Sequence, residues 1–137
     1  MAETIRKVDY YYTTVPNKPG AGARVLGLLR DAGVNLLAFS GFPSGRRSQL
    51  DFVPADTAAL VAACRAAKVK LSPRKTAFLI DGEDRVGAIA EIEGKLGAAK
   101  INVTAIDAIC TGGGRYGAIL WVKPRDVNKA AGVLGAM

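Results

Sequence analysis

The sequence contains no histidine, and only two of its 137 residues are cysteine. Without histidine the chain lacks the usual general base near neutral pH and the base partner of Ser-His and Cys-His nucleophiles. Cys64 and Cys110 lie far apart with no Cys-x-x-Cys spacing, which supports neither a disulfide framework nor a common zinc or haem site. We therefore expect a protein that is not an enzyme, holds no metal or other cofactor, and buries both thiols.

Long apolar runs are also missing from the sequence. No stretch approaches the roughly 20 apolar residues that span a bilayer, and the amino terminus has no apolar signal-peptide core. We expect a cytoplasmic protein with no membrane partner. Half of the residues are nonetheless hydrophobic and 23% are charged, which is the composition of a folded globule rather than of a disordered chain.

The most informative feature that is present is an internal repeat. Asn17–Ala21, a helical run and Val34–Leu36 recur 67 residues later as Asp84–Ala88, another helical run and Ile101–Val103. Repeats of this size have marginal cores on their own, so we expect two modules that depend on each other or on a second chain. We place the modules at residues 1–73 and 74–137.

Periodicity predicts the order β-α-β-β-α-β in each module. In the first module we expect strands at 8–15, 34–42, 49–53 and 69–71 and helices at 20–32 and 57–68. In the second we expect strands at 76–80, 101–109 and 116–122 and helices at 87–99 and 126–137. The second module thus lacks or shares its last strand, and the open edge of its sheet requires cover from another chain or from the other module.

This order predicts an α+β protein built from two ferredoxin-like βαββαβ modules, with antiparallel sheets and both helices on one face of each sheet. The same plait hosts RNA binders, acylphosphatases and ligand sensors. Function therefore has to be inferred from particular residues and not from the fold.

Two glycines and two asparagines recur at equivalent positions of the modules. Gly20 and Gly87 open the first helices, where unpaired N–H groups and the helix dipole favour an anion and the missing Cβ lets a ligand approach the main chain. Asn35 and Asn102 begin the second strands, where each amide offers two donors and an acceptor. A purely structural role, with glycine starting a tight helix and asparagine capping a turn, stays open for both pairs. No GxxxxGK[ST] nucleotide loop is present.

These segments resemble ACT domains, in which an Asp-Arg/Lys-Pro-Gly loop precedes a helix and a Gly-Ile/Val-Asn-Ile/Val strand start. The resemblance covers essentially the whole chain as a tandem pair, and it is carried by 17–26 with 31–36 and by 84–90 with 100–103. The sequence departs from the family pattern at Asn17, where the family has aspartate, at Val86, where it has proline, and at Lys100, where it has glycine.

The resemblance implies a stand-alone regulatory protein that binds an amino acid or related carboxylate at interfaces between ACT modules. It also implies a homodimer that acts on a separate regulated enzyme. The ligand-binding residues that it implies are Asn17, Lys18, Pro19, Gly20, Ala21 and Asn35 in the first module and Asp84, Arg85, Val86, Gly87, Ala88 and Asn102 in the second.

Nucleic-acid binding is the main alternative, because the net charge is +7 and Tyr10, Tyr12 and Phe52 could form a stacking platform. The positive residues are spread along the sequence and no RNP1 pattern is present, so nucleic acid is disfavoured as a partner. An acylphosphatase-like activity would require an asparagine on the third strand, and neither module has one there. A scaffold that binds a partner protein and no ligand is the remaining alternative.

Overall fold

A computed structural model describes residues 3–137 of the chain. The elements in this range are the strands β1 (Thr4–Pro16), β2 (Leu36–Ser44), β3 (Arg47–Pro54), β4 (Lys75–Glu83), β5 (Val103–Cys110) and β6 (Arg115–Val122), and the helices α1 (Ala21–Asp31), α2 (Thr57–Ala66), α3 (Ala88–Ala98) and α4 (Val127–Leu134). A short 3-10 turn, Pro124–Asp126, precedes α4. The predicted α+β class is confirmed. No helix in this range has the length and apolarity needed to cross a bilayer.

The chain forms two compact units. The first unit is Asp9–Lys75, and the second unit comprises residues 3–8 together with Thr76–Met137. Compared with the modules predicted at 1–73 and 74–137, residues 3–8 group with the second half of the chain. β1 therefore contributes residues 4–8 to the second unit and residues 9–16 to the first.

In the first unit the strands lie in the order β2-β3-β1, and both neighbouring pairs are antiparallel. Helical spacing places Val25 and Leu29 on one side of α1, and Leu60 and Cys64 on one side of α2. These four side chains pack on the same face of the sheet and form a core with Tyr11, Val15, Val34, Leu50 and Phe52. Fully burying a side chain of the size of Leu or Phe stabilises a fold by about 1.5–3 kcal/mol.

The strand predicted at 69–71 is wrong, because this segment is irregular. It lies beside β1 but bonds to it partly through side chains: the Tyr12 N–H donates to Ser72 Oγ (3.0 Å), and Thr13 Oγ1 donates to the carbonyl of Lys70 (2.7 Å). Only Ser72 N–H, which donates to the Tyr12 carbonyl at 2.8 Å, continues a main-chain ladder. Pro73 then has no N–H to extend that ladder.

In the second unit the strands lie in the order β1-β4-β6-β5, with residues 4–8 of β1 beside β4. The sheet edge that the sequence left without a partner is thus covered by the start of β1. Main-chain bonds join this segment to the last residue, since Lys7 N–H donates to Met137 O and Met137 N–H donates to Ile5 O, both at 3.1 Å. Ile5 belongs to the core of this unit, together with Phe78, Ile80, Ile92, Leu96, Leu120 and Leu134.

Candidate functional site

The first corner, which we define as Asn17–Ala21, joins β1 to α1. Gly20 precedes the helix in the left-handed conformation, with φ 83°, and no side chain caps the first turn. A Cβ built on Gly20 meets no atom within 4 Å, so the main chain is open on this side. The first N–H groups of a helix have no intrahelical acceptor, and the first turn of α1 carries no acidic residue. Ala21 N–H donates to Lys18 O at 3.3 Å, so within residues 3–137 the unpaired donors that the corner offers to an anion are the N–H groups of Gly22 and Ala23.

The turn between β2 and β3 is attached to the first corner. The strand register places Arg47 opposite both Pro16 and Ser44. Ser48 Oγ donates to Asn17 Oδ1 at 3.1 Å, and the Arg47 guanidinium donates from Nε to Thr14 Oγ1 (3.0 Å) and from Nη2 to Thr14 O (3.1 Å). Arg46 and Arg47 are thereby brought beside Lys18, although the sequence separates them by more than 25 residues.

Asn35 lies at the opposite end of the first unit. Its carbonyl accepts from Ala55 N–H at 2.9 Å, and the next residue, Leu36, pairs with Pro54. α1 has 11 residues, which corresponds to about 16 Å of helix between the first corner and Asn35. β3 spans the same two ends with eight residues, or roughly 23 Å. The structure therefore does not bring Asn35 to the predicted corner residues of its own unit.

The second corner, Asp84–Ala88, repeats this backbone geometry before α3. Gly87 has φ 81° with no side-chain cap, and a Cβ built on it also meets nothing within 4 Å. The loop is held by Asp84 N–H, which donates to Gly114 O at 3.0 Å. Val86 is fully exposed, at 100%. Asn102 is again at the far end, since Val103 pairs with Val122 while the corner lies beside the β5–β6 turn.

The charged side chains of the second corner are paired with one another. Arg85 Nη1 and Nη2 donate to the two carboxylate oxygens of Glu91 at 3.1 and 2.6 Å, and Nη2 lies 3.7 Å from Glu3 Oε2. The hydrogen bond from Arg85 lowers the pKa of Glu91. Tyr116 OH donates to Glu3 at 3.0 Å, and burial together with this contact raises the pKa of Tyr116 to about 12. The cation of this corner is therefore already neutralised.

Cys110 corrects the prediction that both thiols are buried. Cys64 is buried in the first core, but Cys110 is exposed at the end of β5. A hydrogen bond with the carboxylate of Asp84 raises the pKa of the Cys110 thiol. No sequence pattern distinguished the two cysteines, because exposure of Cys110 follows from the edge position of β5.

Tyr10, Tyr12 and Phe52 do not form the stacking platform that would favour nucleic-acid binding. Phe52 pairs with Tyr11 and is completely buried on the helix-covered face of the sheet. Because side chains alternate along a strand, Tyr10 and Tyr12 face the other side. There the Lys75 ammonium lies 5.9 and 5.6 Å from the centres of their rings.

Comparison with known proteins supports the fold. No family model and no curated protein matches the sequence. Among solved structures, the chain is similar to protein BT0572 from Bacteroides thetaiotaomicron, with TM-score 0.83 and 16% identity over 96% of this chain and 88% of that one. It is also similar to the regulatory subunits of aspartate kinase from Thermus thermophilus (TM-score 0.66, 16% identity, 98% and 96% covered) and Thermus flavus (0.60, 20%, 98% and 94%).

These likenesses define the class of fold. The structure has the same fold as the regulatory subunits of aspartate kinase from the two Thermus species. Because identity is at or below 20%, ligand and partner have to be argued from the residues of this chain.

Proposed function

We propose that the protein is a regulatory module that binds a small amino acid or a related carboxylate at its first corner. The observation that carries the proposal is the open helix start at Gly20, which has no side-chain cap, no acidic residue in its first turn and no atom within 4 Å of a built Cβ. A carboxylate at this position would accept from the unpaired N–H groups and lie near Lys18. The likeness to regulatory subunits supports a regulatory role over a catalytic one.

The second corner is the weaker candidate, although its backbone is the same. Arg85 already binds Glu91 and Glu3, so an incoming carboxylate would have to compete with two carboxylates of the protein. We assign this corner a structural role. The predicted ligand residues Asp84, Arg85, Val86, Gly87 and Ala88 are then the scaffold counterpart of Asn17, Lys18, Pro19, Gly20 and Ala21.

Asn35 enters this proposal through a second copy of the chain. It lies about 16 Å of helix away from the corner of its own unit, which is too far for one small ligand to contact both. In a homodimer, Asn35 of one copy can meet the ligand held at the first corner of the other. Asn102 occupies the corresponding place in the second unit. The ligand would then shift the arrangement of the copies by the difference between its affinities for the two arrangements, and a separate enzyme would respond.

A thermal-shift screen against the twenty amino acids and simple carboxylates tests the function. A ligand at 100 times its dissociation constant stabilises the folded state by about 2.7 kcal/mol, which raises Tm by several degrees in a protein of this size. Lys18→Ala should abolish most of the shift, whereas the matched variant Arg85→Ala should leave it intact. No shift with any compound would favour the scaffold that binds a partner protein and no ligand.

A further inference from the structure

The charge of the protein is divided unequally between its units. The first unit contains ten Lys and Arg against four Asp and Glu, whereas the second contains nine against eight. Nearly all of the net charge of +7 therefore belongs to the first unit. Four basic residues of that unit lie at the same end as its corner, and we call them the basic cluster: Lys18, Arg24, Arg46 and Arg47.

Main-chain contacts and strand register place each member of the basic cluster at this end of the unit. Arg24 N–H donates to Gly20 O at 3.0 Å, so Arg24 lies one helical turn beyond Gly20. Arg46 and Arg47 belong to the turn that Ser48 ties to Asn17. Two further cations, Arg65 and Lys68, are found at the same end, because α2 starts at the far end after Pro54 and runs back.

The carboxylates of the first unit lie elsewhere. Asp31 ends α1, Asp56 caps the start of α2, and Asp9 accepts from Thr57 Oγ1 at 2.9 Å, all at the far end. Asp51 is buried within β3, where Gln49 Nε2 donates to it at 2.9 Å.

The far-end carboxylates do not neutralise the basic cluster. They are roughly 16–23 Å away by helix and strand length, whereas the Debye length at physiological salt is about 8 Å. Within residues 3–137, Lys18, Arg24 and Arg46 form no ion pair. The hydrogen bonds of Arg47 go to Thr14, a neutral residue.

This arrangement constrains the charge of the ligand. A zwitterionic amino acid brings an ammonium to an end of the unit that has four basic residues and, within residues 3–137, no carboxylate to accept it. At about 4 Å each like-charge contact weakens binding roughly fivefold even in water. A ligand with two or more negative charges and no ammonium avoids that cost and satisfies several cations together.

We propose that the effector of the first corner is a small anion with at least two negative charges and no free ammonium, such as a dicarboxylate or a phosphorylated metabolite. This inference rests on the proposed function, that the first corner binds a small-molecule effector, and it specifies the charge of that effector. The second corner disfavours such a ligand, since within residues 3–137 five carboxylates lie around it, those of Glu3, Asp81, Glu83, Asp84 and Glu91, against three cations, those of Arg85, Lys95 and Arg115.

The test compares two probes that differ only in the ammonium, succinate and aspartate, by calorimetric titration of the full chain. Succinate should bind about tenfold more tightly than aspartate, and both should weaken as salt is added. Equal or tighter binding of aspartate, or binding of leucine alone, overturns this inference and leaves the proposed function standing. No binding of any probe overturns both.

Pyrophosphate is a second probe, and its binding distinguishes a phosphorylated effector from a dicarboxylate. Binding of pyrophosphate without succinate identifies a phosphorylated effector, binding of succinate without pyrophosphate identifies a dicarboxylate, and either result supports the inference. A duplex DNA that binds when neither small anion does would overturn it in favour of a nucleic-acid surface.

Variants that each remove one positive charge locate the binding site. Lys18→Gln and Arg46→Gln should each weaken binding of the better probe roughly three- to tenfold. Arg30→Gln removes the same charge at the far end of α1, where Arg30 pairs with Asp31 at 3.0 Å, and should change binding less than about twofold. Equal losses in all three variants would show only general attraction to a basic protein and would overturn the assignment to the corner.

Discussion

Gly20 and Gly87 adopt almost the same backbone conformation, with φ of 83° and 81°, and each opens a helix of 11 residues. The side chains around them nevertheless have opposite properties. Lys18 at the first corner has no carboxylate partner within residues 3–137, whereas Arg85 at the second is held by Glu91 and Glu3. The comparison teaches that the repeat preserves main-chain geometry while the two copies differ in charge. A ligand that needs both the geometry and a free cation is therefore expected at one corner only.

The largest effect should come from Gly82, which lies in β4 two residues before the second corner. A Cβ at Gly82 would come within 2.6 Å of the Tyr116 ring and 2.7 Å of Glu3 Cγ. Gly82→Ala should therefore destabilise the fold by about 1–3 kcal/mol through overpacking. Gly117→Ala, on the neighbouring strand β6, is the control, because a Cβ there meets nothing within 4 Å. Urea denaturation that gave the two variants equal stability would contradict the packing around Arg85.

The next effect concerns the corner glycines themselves. Gly20→Ala and Gly87→Ala each force a side chain into the left-handed region, and each should cost roughly 1–2 kcal/mol of stability. Only Gly20→Ala should also reduce the thermal shift produced by the effector. Gly94→Ala, inside α3 with open space around it, should instead gain up to about 1 kcal/mol. If Gly87→Ala also reduced the thermal shift, this result would contradict the conclusion that only the first corner binds the effector.

The buried carboxylate of the first unit should produce a smaller and pH-dependent effect. Burial raises the pKa of Asp51. The hydrogen bond from Gln49 and the positive charge of Lys75 lower this pKa but do not cancel the effect of burial. Because the folded-state pKa is raised, the folded protein holds this proton more tightly. The contribution of Asp51 to stability is therefore greatest below its unfolded-state pKa and is lost as pH rises through the folded-state pKa.

Replacing Asp51 with asparagine, its neutral isostere, tests the direction of this pH dependence of stability. Asp51→Asn should be more stable than the parent at neutral pH, and the difference should vanish or reverse in acid, below the ordinary pKa of an aspartate. Denaturation curves collected across this pH range measure it. A parent protein that gained stability from Asp51 on going from acid to neutral pH would contradict the burial argument.

The smallest effect on stability is expected at the exposed pair of Asp84 and Cys110. Asp84→Asn should change the free energy of unfolding by less than about 0.5 kcal/mol. It should, however, lower the pKa of the Cys110 thiol and speed its alkylation near neutral pH, since the thiolate is the reactive form. Cys64, which is buried, serves as the internal control and should stay unreactive in the native protein. An unchanged alkylation rate at Cys110 would contradict the hydrogen bond between Asp84 and the Cys110 thiol.

Much of the local structure could be predicted from the sequence. The helices begin where Gly20, Asp56 and Gly87 stand, and Asp56 caps α2 by accepting from Ala59 N–H at 3.2 Å. Lys100 stands in the second repeat where the first has Gly33, and it adopts φ 63°, in the same left-handed region as Gly33. Such features depend on a few neighbouring residues, so periodicity and turn chemistry are sufficient to locate them.

The start of β1 shows where local patterns fail. The sequence places the first strand at 8–15, where β-branched and aromatic residues follow one another, whereas the structure begins the strand at Thr4. Burial of Ile5 against Phe78 and its neighbours decides this extension. That contact joins residues more than 70 positions apart, and no local signal encodes it.

The sequence by itself determined the repeat, the order of most elements and the two glycine-opened helices, because each of these follows from spacing and conformational preference over short stretches. The tertiary structure alone decided which charges meet. Lys18, Arg24, Arg46 and Arg47 look scattered along the chain, and antiparallel strand register gathers them at one end while it leaves Asn35 at the other. Electrostatic interactions depend on distance in space, and within about one Debye length only the folded register determines which side chains are neighbours.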